Sequence, residues 1–384
     1  MARREDVPSL ADALDRALAL RRDDGAPVVT RIEHVADVRA ECLFGRASAR
    51  APRNLSTRPD AMYACEGGLA IAVAVVGAIA REAGVGGWTG CEDAARAARA
   101  LCANGDHASA WNARKRALER AWTEAKGGGG DVGDVERAER RGGGAVEELG
   151  FASAAQSRFP KAPSAWAHRR WVLERVGDAV ERDRRGWFRR ECDACDAATA
   201  SKRSNYAAWA HRAWALSLLG DDADAVGEEL RANEAVARRS VGDHCALHYR
   251  ARVIERYLEL RPSESSDAIA RELETTRALI AAFPGHEALW SHLRYAFAKA
   301  LSCDERLASD ETFLADLKRF ARERLGGDSA TLLEPAWAEH AAATERRLAE
   351  AFEAWTNFAL ARSRGERAVA THVRATDGAT ISSD

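Results

Sequence analysis

Two histidines, a pair of cysteines and a set of arginines are the side chains whose types and spacing could do chemistry. His168 and His211 each sit in a Trp-x-His-Arg-x-Trp segment, Trp166 to Trp171 and Trp209 to Trp214. Imidazole binds zinc, so a repeated histidine could be a metal ligand. The two lie 43 residues apart, one repeat unit of helices, and they are read as structural or interface hydrogen-bond donors. Cys192-x-x-Cys195 has the spacing of a redox or metal pair. On a helix, though, those thiols share one face and no second pair accompanies them, so they are read as core packing. Trp166 and Arg169, like Trp209 and Arg212, are three residues apart and share a helix face. A guanidinium beside a packed indole needs a carboxylate or helix-end carbonyls from a neighbouring element, and its planar fork suits that role better than an ammonium. The motif therefore predicts a joint: Trp fills the groove between hairpins, and Arg fixes their order.

Such joints require a repeated scaffold. Gly177-Asp178 and Gly220-Asp221 follow Trp166 and Trp209 at the same offsets, so a unit of helix, glycine stop and second helix is copied with a period of 43 residues. That period belongs to helical solenoids. A fourth copy puts Leu247 at the Trp position and Arg250 at the Arg position, and a fifth restores Trp290 and His292. Upstream, Trp111 marks a first copy 55 residues before Trp166, and the surplus falls on Gly127 to Gly144, two glycine runs read as a flexible surface insertion.

The 384 residues divide into an N-terminal helical cap (1–102), five helical repeats (103–303), a C-terminal helical cap (304–369) and a disordered tail (370–384). In the first cap, Pro8 to Arg22 and Val35 to Phe44 are read as amphipathic helices, and 45–60 as a poorly ordered loop. Leu69 to Ala80 is read as a buried helix, too short for the roughly 20 residues of a membrane span. Trp337, Trp355 and Phe358 are expected to give the C-terminal cap its core. No period-two alternation is evident, so the expected class is all-α: an α-α superhelix, a right-handed, tetratricopeptide-like solenoid of helical hairpins whose concave face binds a partner. With 46% hydrophobic residues and a net charge of −2, a general nucleic-acid binder is disfavoured. Eight scattered cysteines and no secretory leader point to a reduced, cytoplasmic setting.

Five Trp-x-His-Arg-like helices, best formed from Asn205 to Trp214, resemble the protein prenyltransferase alpha-subunit repeat over about Ala103 to Leu301. The Ala110-Trp111-Asn112-Ala113-Arg114-Lys115 and Gly285-His286-Glu287-Ala288-Leu289-Trp290 forms are most similar to the repeat-containing group of that family. The resemblance implies an alpha-type subunit that wraps a beta subunit, and the beta subunit carries the zinc and the isoprenoid pocket. It implies no cofactor in this chain. The expected partners are a beta subunit, that of the Rab-type geranylgeranyltransferase, and an acceptor protein with a C-terminal Cys. Geranylgeranyl is then the expected lipid. Five residues before Trp166, Lys161 stands where the farnesyl-type enzyme has a lysine that reaches the diphosphate, which makes it the candidate catalytic residue. Asn205, Tyr206, His168 and His211 are expected to face substrate or partner, while Trp111, Trp166, Arg169, Trp209, Arg212, Arg250 and Trp290 form the structural motif. Ala162 and Pro163 replace the family's Asn and Tyr beside Lys161, and Ala207 replaces a diphosphate-contacting His. The alternative is a non-enzymatic repeat scaffold that binds a peptide or protein on its concave face.

Overall fold

The computed structural model describes residues 32–35, 53–54, 62–65, 68–72, 93–127, 134–325 and 335–363, together with Leu18. The chain forms two compact units, Met1–Val226 and Gly227–Asp384.

The first unit opens with a small sheet of β1 (Ile32–Val35), β2 (Arg53–Asn54), β3 (Met62–Cys65) and β4 (Gly68–Ala72). Its strand order is β1-β4-β3-β2, with β1 parallel to β4 and the other pairs antiparallel. This corrects the helix expected over Leu69 to Ala80, whose described part is β4, and the helix expected from Val35, which ends β1. A short apolar run has no period long enough to separate strand from helix. Here the strand form comes from pairing, β3 against β4 from Met62 with Ile71 to Cys65 with Gly68. The remainder of those two segments, the 45–60 loop apart from β2, the Pro8 to Arg22 helix apart from helical Leu18, and the 370–384 tail lie outside the described residues.

The helices of this unit are α1 (Asp93–Ala103), α2 (Ala108–Gly127), α3 (Asp134–Arg158), α4 (Pro163–Arg175), α5 (Gly177–Arg182), α6 (Arg184–Ser201) and α7 (Tyr206–Ala215), followed by α8 (Ala223–Arg239), in which the unit ends. The pairs α2/α3 and α4/α6 are the first two hairpins, with α5 inserted in the second. The insertion expected over Gly127 to Gly144 is shorter than read, because α3 begins at Asp134 and runs through Gly142, Gly143 and Gly144. Each glycine costs the helix about 1 kcal/mol, but α3 continues into buried Ala145, Leu149, Ala152 and Ala155, whose packing fixes the helix. Short polar side chains start the helices. Asp183 Oδ1 accepts from Gly186 N–H at 2.9 Å, Asn205 Oδ1 from Ala208 N–H at 3.2 Å, and Asp222 Oδ1 from Ala225 N–H at 3.0 Å. Gly220, at φ 59°, makes the left-handed turn before α8 that a side chain would resist.

In the second unit, α9 (His244–Leu260), α10 (Ser265–Ala282), α11 (Glu287–Cys303), α12 (Glu311–Leu325) and α13 (Pro335–Ser363) surround one apolar core. Trp290, Leu289, Leu293 and Phe297 of α11 lie at its centre against Phe320 and Phe352. Trp355 joins this core edge-on to Phe297, whereas Phe358 is 51% exposed and does not, a correction to the expected cap core. Trp337 lies where the side chains are outside the description. From Asp93 onward the described residues form the expected all-α architecture of helical hairpins.

Candidate functional site

The motif residues converge on buried carboxylates. In the first unit, Glu191 of α6 accepts two bonds from Arg169 of α4, Nε at 2.9 Å and Nη2 at 2.7 Å, and a third from His211 Nε2 of α7 at 2.6 Å. One carboxylate thus binds the arginine of its own hairpin and the histidine of the next. Glu148 of α3 does the same with Arg114 of α2, at 2.7 and 2.6 Å, and with His168 of α4, at 2.8 Å. Arg169 also donates through Nη1 to the Leu149 carbonyl at 3.0 Å and to Ser153 Oγ at 2.8 Å, so it touches both hairpins. Arg212 pairs with Asp196 of α6 at 2.6 Å. Within the second unit, Glu272 of α10 takes Arg250 of α9 at 2.8 and 2.6 Å and His292 of α11 at 2.7 Å. There Tyr249 stands at the histidine position and donates its hydroxyl to Glu229 at 2.8 Å.

The indoles complete each joint. His168 stacks on Trp111 at 4.5 Å between ring centroids, and His211 lies against Trp166 at 5.0 Å. Trp111 Nε1 donates to the Gly105 carbonyl at 2.9 Å and Trp166 Nε1 to the Pro160 carbonyl at 3.0 Å. Pro160 O accepts a second bond from Asn205 Nδ2 at 2.7 Å, so the helix cap of α7 is tied to the turn before α4. Trp209, Trp290, Arg169, Arg212 and Arg250 are buried as well.

Burial raises the Glu148, Glu191 and Glu272 carboxyls, but the facing arginine and histidine outweigh it and hold each at about 2. Burial also lowers His168 and His211 against the pull of their glutamates. At neutral pH each imidazole is therefore uncharged and donates its Nε2 proton; the buried His168 Nδ1, with no partner among the described residues, agrees with that tautomer. A histidine whose folded pKa is depressed stabilises above its unfolded value near 6.5 and loses that contribution as pH falls below it. The depressed carboxyls stabilise above about 4.5 and lose it toward 2. Thermal unfolding followed by circular dichroism is expected to fall in midpoint from pH 7 to 5, and more steeply below 4.5. A midpoint flat over pH 7 to 4 would contradict this electrostatic account.

Several site assignments change as a result. His168 and His211, 0% and 5% exposed, and Asn205, 0% exposed, are enclosed within the chain rather than facing a partner. They are covered by packing on the preceding hairpin, through Glu148 and Trp111 for His168, Glu191 and Trp166 for His211, and the Pro160 turn for Asn205, which a motif read on one helix does not reveal. Tyr206 is 75% exposed. Lys161 is exposed in the turn between α3 and α4, next to Pro160. It and Tyr206 therefore emerge from the two sides of the Pro160–Asn205 tie. Cys192 and Cys195 are buried; Cys195 Sγ donates to the Ala208 carbonyl at 3.3 Å, and burial pushes its thiol up, away from thiolate chemistry. Among the described residues no cluster of His, Cys, Asp or Glu could hold a metal ion. Glu148, Glu191, Glu229, Glu272 and Tyr249 are joint residues that motif reading missed. A signal existed, since each of Glu191 and Glu272 follows its arginine by 22 residues and precedes its histidine by 20.

Comparison with known proteins gives this arrangement a context. Residues 146–176, 188–219 and 269–300 match the protein prenyltransferase alpha subunit repeat. The chain is 24% identical over 201 residues to "Protein prenyltransferase alpha subunit repeat-containing protein 1" of Homo sapiens, covering 40% of this chain and 50% of that protein. Identity to the protein of the same name from Danio rerio is 26% over 242 residues, 51% of this chain and 52% of that one. It is 24% over 208 residues to "Geranylgeranyl transferase type-2 subunit alpha" of Rattus norvegicus, 52% of this chain and 32% of that one. The matches thus span about half the length of the repeat-containing relatives, and less of the transferase subunit.

Proposed function

From the premise that this is a protein of prenyltransferase alpha subunit repeats, we propose that it is the alpha-type subunit of a heterodimeric protein prenyltransferase. Its partner is a zinc-bearing beta subunit, of the Rab-type geranylgeranyltransferase kind, and the lipid is geranylgeranyl. The likeness to a geranylgeranyl transferase subunit alpha supports that choice of lipid. In the reaction, the thiol of an acceptor cysteine loses its proton and its sulfur forms a bond to the first carbon of the isoprenoid. The carbon–oxygen bond to the diphosphate breaks, and diphosphate leaves with the electron pair. A zinc ion held by the beta subunit would lower the pKa of the acceptor thiol, and this chain would supply positive charge where the diphosphate leaves.

The observation that carries the proposal is the setting of Lys161. The ammonium is exposed, yet its turn is fixed one residue away by two hydrogen bonds to the Pro160 carbonyl, from Trp166 and Asn205. A cation on a fixed turn can stabilise departing negative charge without first being ordered. Tyr206, exposed across the same tie, is the side chain that this reading assigns to the partner contact.

Co-expression with a barrel-type beta subunit, followed by co-purification and transfer of a labelled isoprenoid to a protein with a C-terminal Cys, tests the reading. In that complex Lys161→Ala is expected to lower turnover by about 10²-fold with assembly intact. Failure to recover any beta subunit, or recovery of a complex that transfers no lipid, would replace the enzyme with the scaffold alternative.

A further inference from the structure

A second feature of the first unit lies away from the Lys161 turn. A groove of about 800 Å³ runs between α3 and α6, a size that suits a ligand rather than a packing flaw. Gly150, Gln156 and Ser157 line it from α3, and Arg190, Ala197 and Ser201 from α6. Small side chains keep it open: Gly150, Ala194, Ala197 and Ala198 stand where larger residues would close the two helices together. At its floor are Arg169 and Glu191, whose charges satisfy one another, so the base is neutral overall.

One floor group is not satisfied. Gln156 is 4% exposed and its Oε1 accepts from Arg169 Nη1 at 3.4 Å, but its Nε2 has no acceptor among the described residues. A buried amide N–H without a partner costs free energy, so the groove is built to receive an acceptor. At one end Ser157 already holds extended backbone: its Oγ accepts the N–H of Ile32, the first residue of β1, at 2.8 Å. The rim carries Arg190, whose guanidinium lies over Trp187 at 4.9 Å and reaches Asp183 only at 3.7 Å.

We propose that this groove binds an extended peptide segment of a partner protein, with a main-chain carbonyl accepting from Gln156 Nε2 and small side chains seated on the glycine and alanine floor. The neutral base selects a neutral acceptor, as a peptide carbonyl is. Ser157 shows the extended backbone geometry that this wall accepts, and Arg190 favours an acidic residue at the segment's exposed edge. The hydrogen bonds supply register and the shallow floor supplies side-chain selectivity, as in other extended-peptide sites.

The test uses the full chain and a positional library of acetylated hexapeptide amides, read by fluorescence anisotropy. Preference for small residues at alternate positions, with an acidic residue favoured at one edge, is expected. Gln156→Glu keeps the acceptor for Arg169 but removes the donor, and is expected to weaken binding at least fivefold, about the worth of one hydrogen bond. Ala197→Trp fills the groove from an exposed wall position and is expected to abolish binding; Ser201→Trp at the rim serves if the first variant lowers the melting midpoint. Absence of any preferred peptide, or binding indifferent to both substitutions, overturns the proposal. So does self-association of the chain that Ala197→Trp abolishes, since a second copy would then be the occupant. Lys161→Ala should leave peptide binding unchanged, and no beta subunit is needed, so this result and the transferase reading fail separately.

Discussion

Glu191→Ala is expected to destabilise the first unit by about 3–5 kcal/mol, because it leaves the Arg169 guanidinium buried without its carboxylate and takes the partner of His211 with it. The loss should be read locally as well as globally. Amide hydrogen exchange in α4, α6 and α7 should accelerate together, since one carboxylate binds all three helices. The informative contrast is the double variant Arg169→Met with Glu191→Leu. Removing both charges also removes the desolvation that burial imposes on them, so the double variant should cost less than Glu191→Ala alone. If the single and double variants are equally destabilised, the carboxylate acts by filling space, and the ionic account of the joint is wrong.

Trp166→Ala is the second large effect, expected to cost about 3–5 kcal/mol. The ring is 4% exposed, packs with Cys195, Ala198 and Ala208, and lies against His211 of the next hairpin. Its removal opens a cavity at the junction of α4, α6 and α7, where the surrounding backbone is held by its own hydrogen bonds and cannot simply close in. Trp166→Phe separates packing from the polar link. It keeps most of the ring and loses the Nε1 bond to Pro160, whose carbonyl still has Asn205, so about 1 kcal/mol is expected. Chemical denaturation of the three proteins would measure both figures. A Trp166→Phe loss as large as that of Trp166→Ala would mean that the bond to the Lys161 turn, not the ring's volume, holds the joint. Trp214, half-buried, should be far more tolerant than Trp166 although the motif names them equally.

The repeat was legible because it is local: Trp, His and Arg recur at helical spacing, and any segment with that periodicity and those caps forms a hairpin with one apolar stripe. The need of Arg169 for a carboxylate also followed from elementary electrostatics. The identity of that carboxylate did not, because Arg169 and Glu191 lie on different helices and only the hairpin geometry brings them within 2.7 Å. His168, His211 and Asn205 illustrate the same limit. Each is polar, each could face a partner, and each is instead enclosed against the preceding hairpin. The N-terminal sheet escaped notice for a different reason, since strands of four or five residues such as Met62–Cys65 and Gly68–Ala72 owe their form to pairing rather than to their own period. The amino-acid order by itself thus determined the kind of unit, its period and the tryptophan and arginine members of the joints. Tertiary structure alone decided which of those residues are spent inside the joint and which, like Lys161 and Tyr206, remain outside, because exposure depends on neighbouring segments rather than on a residue's own helix.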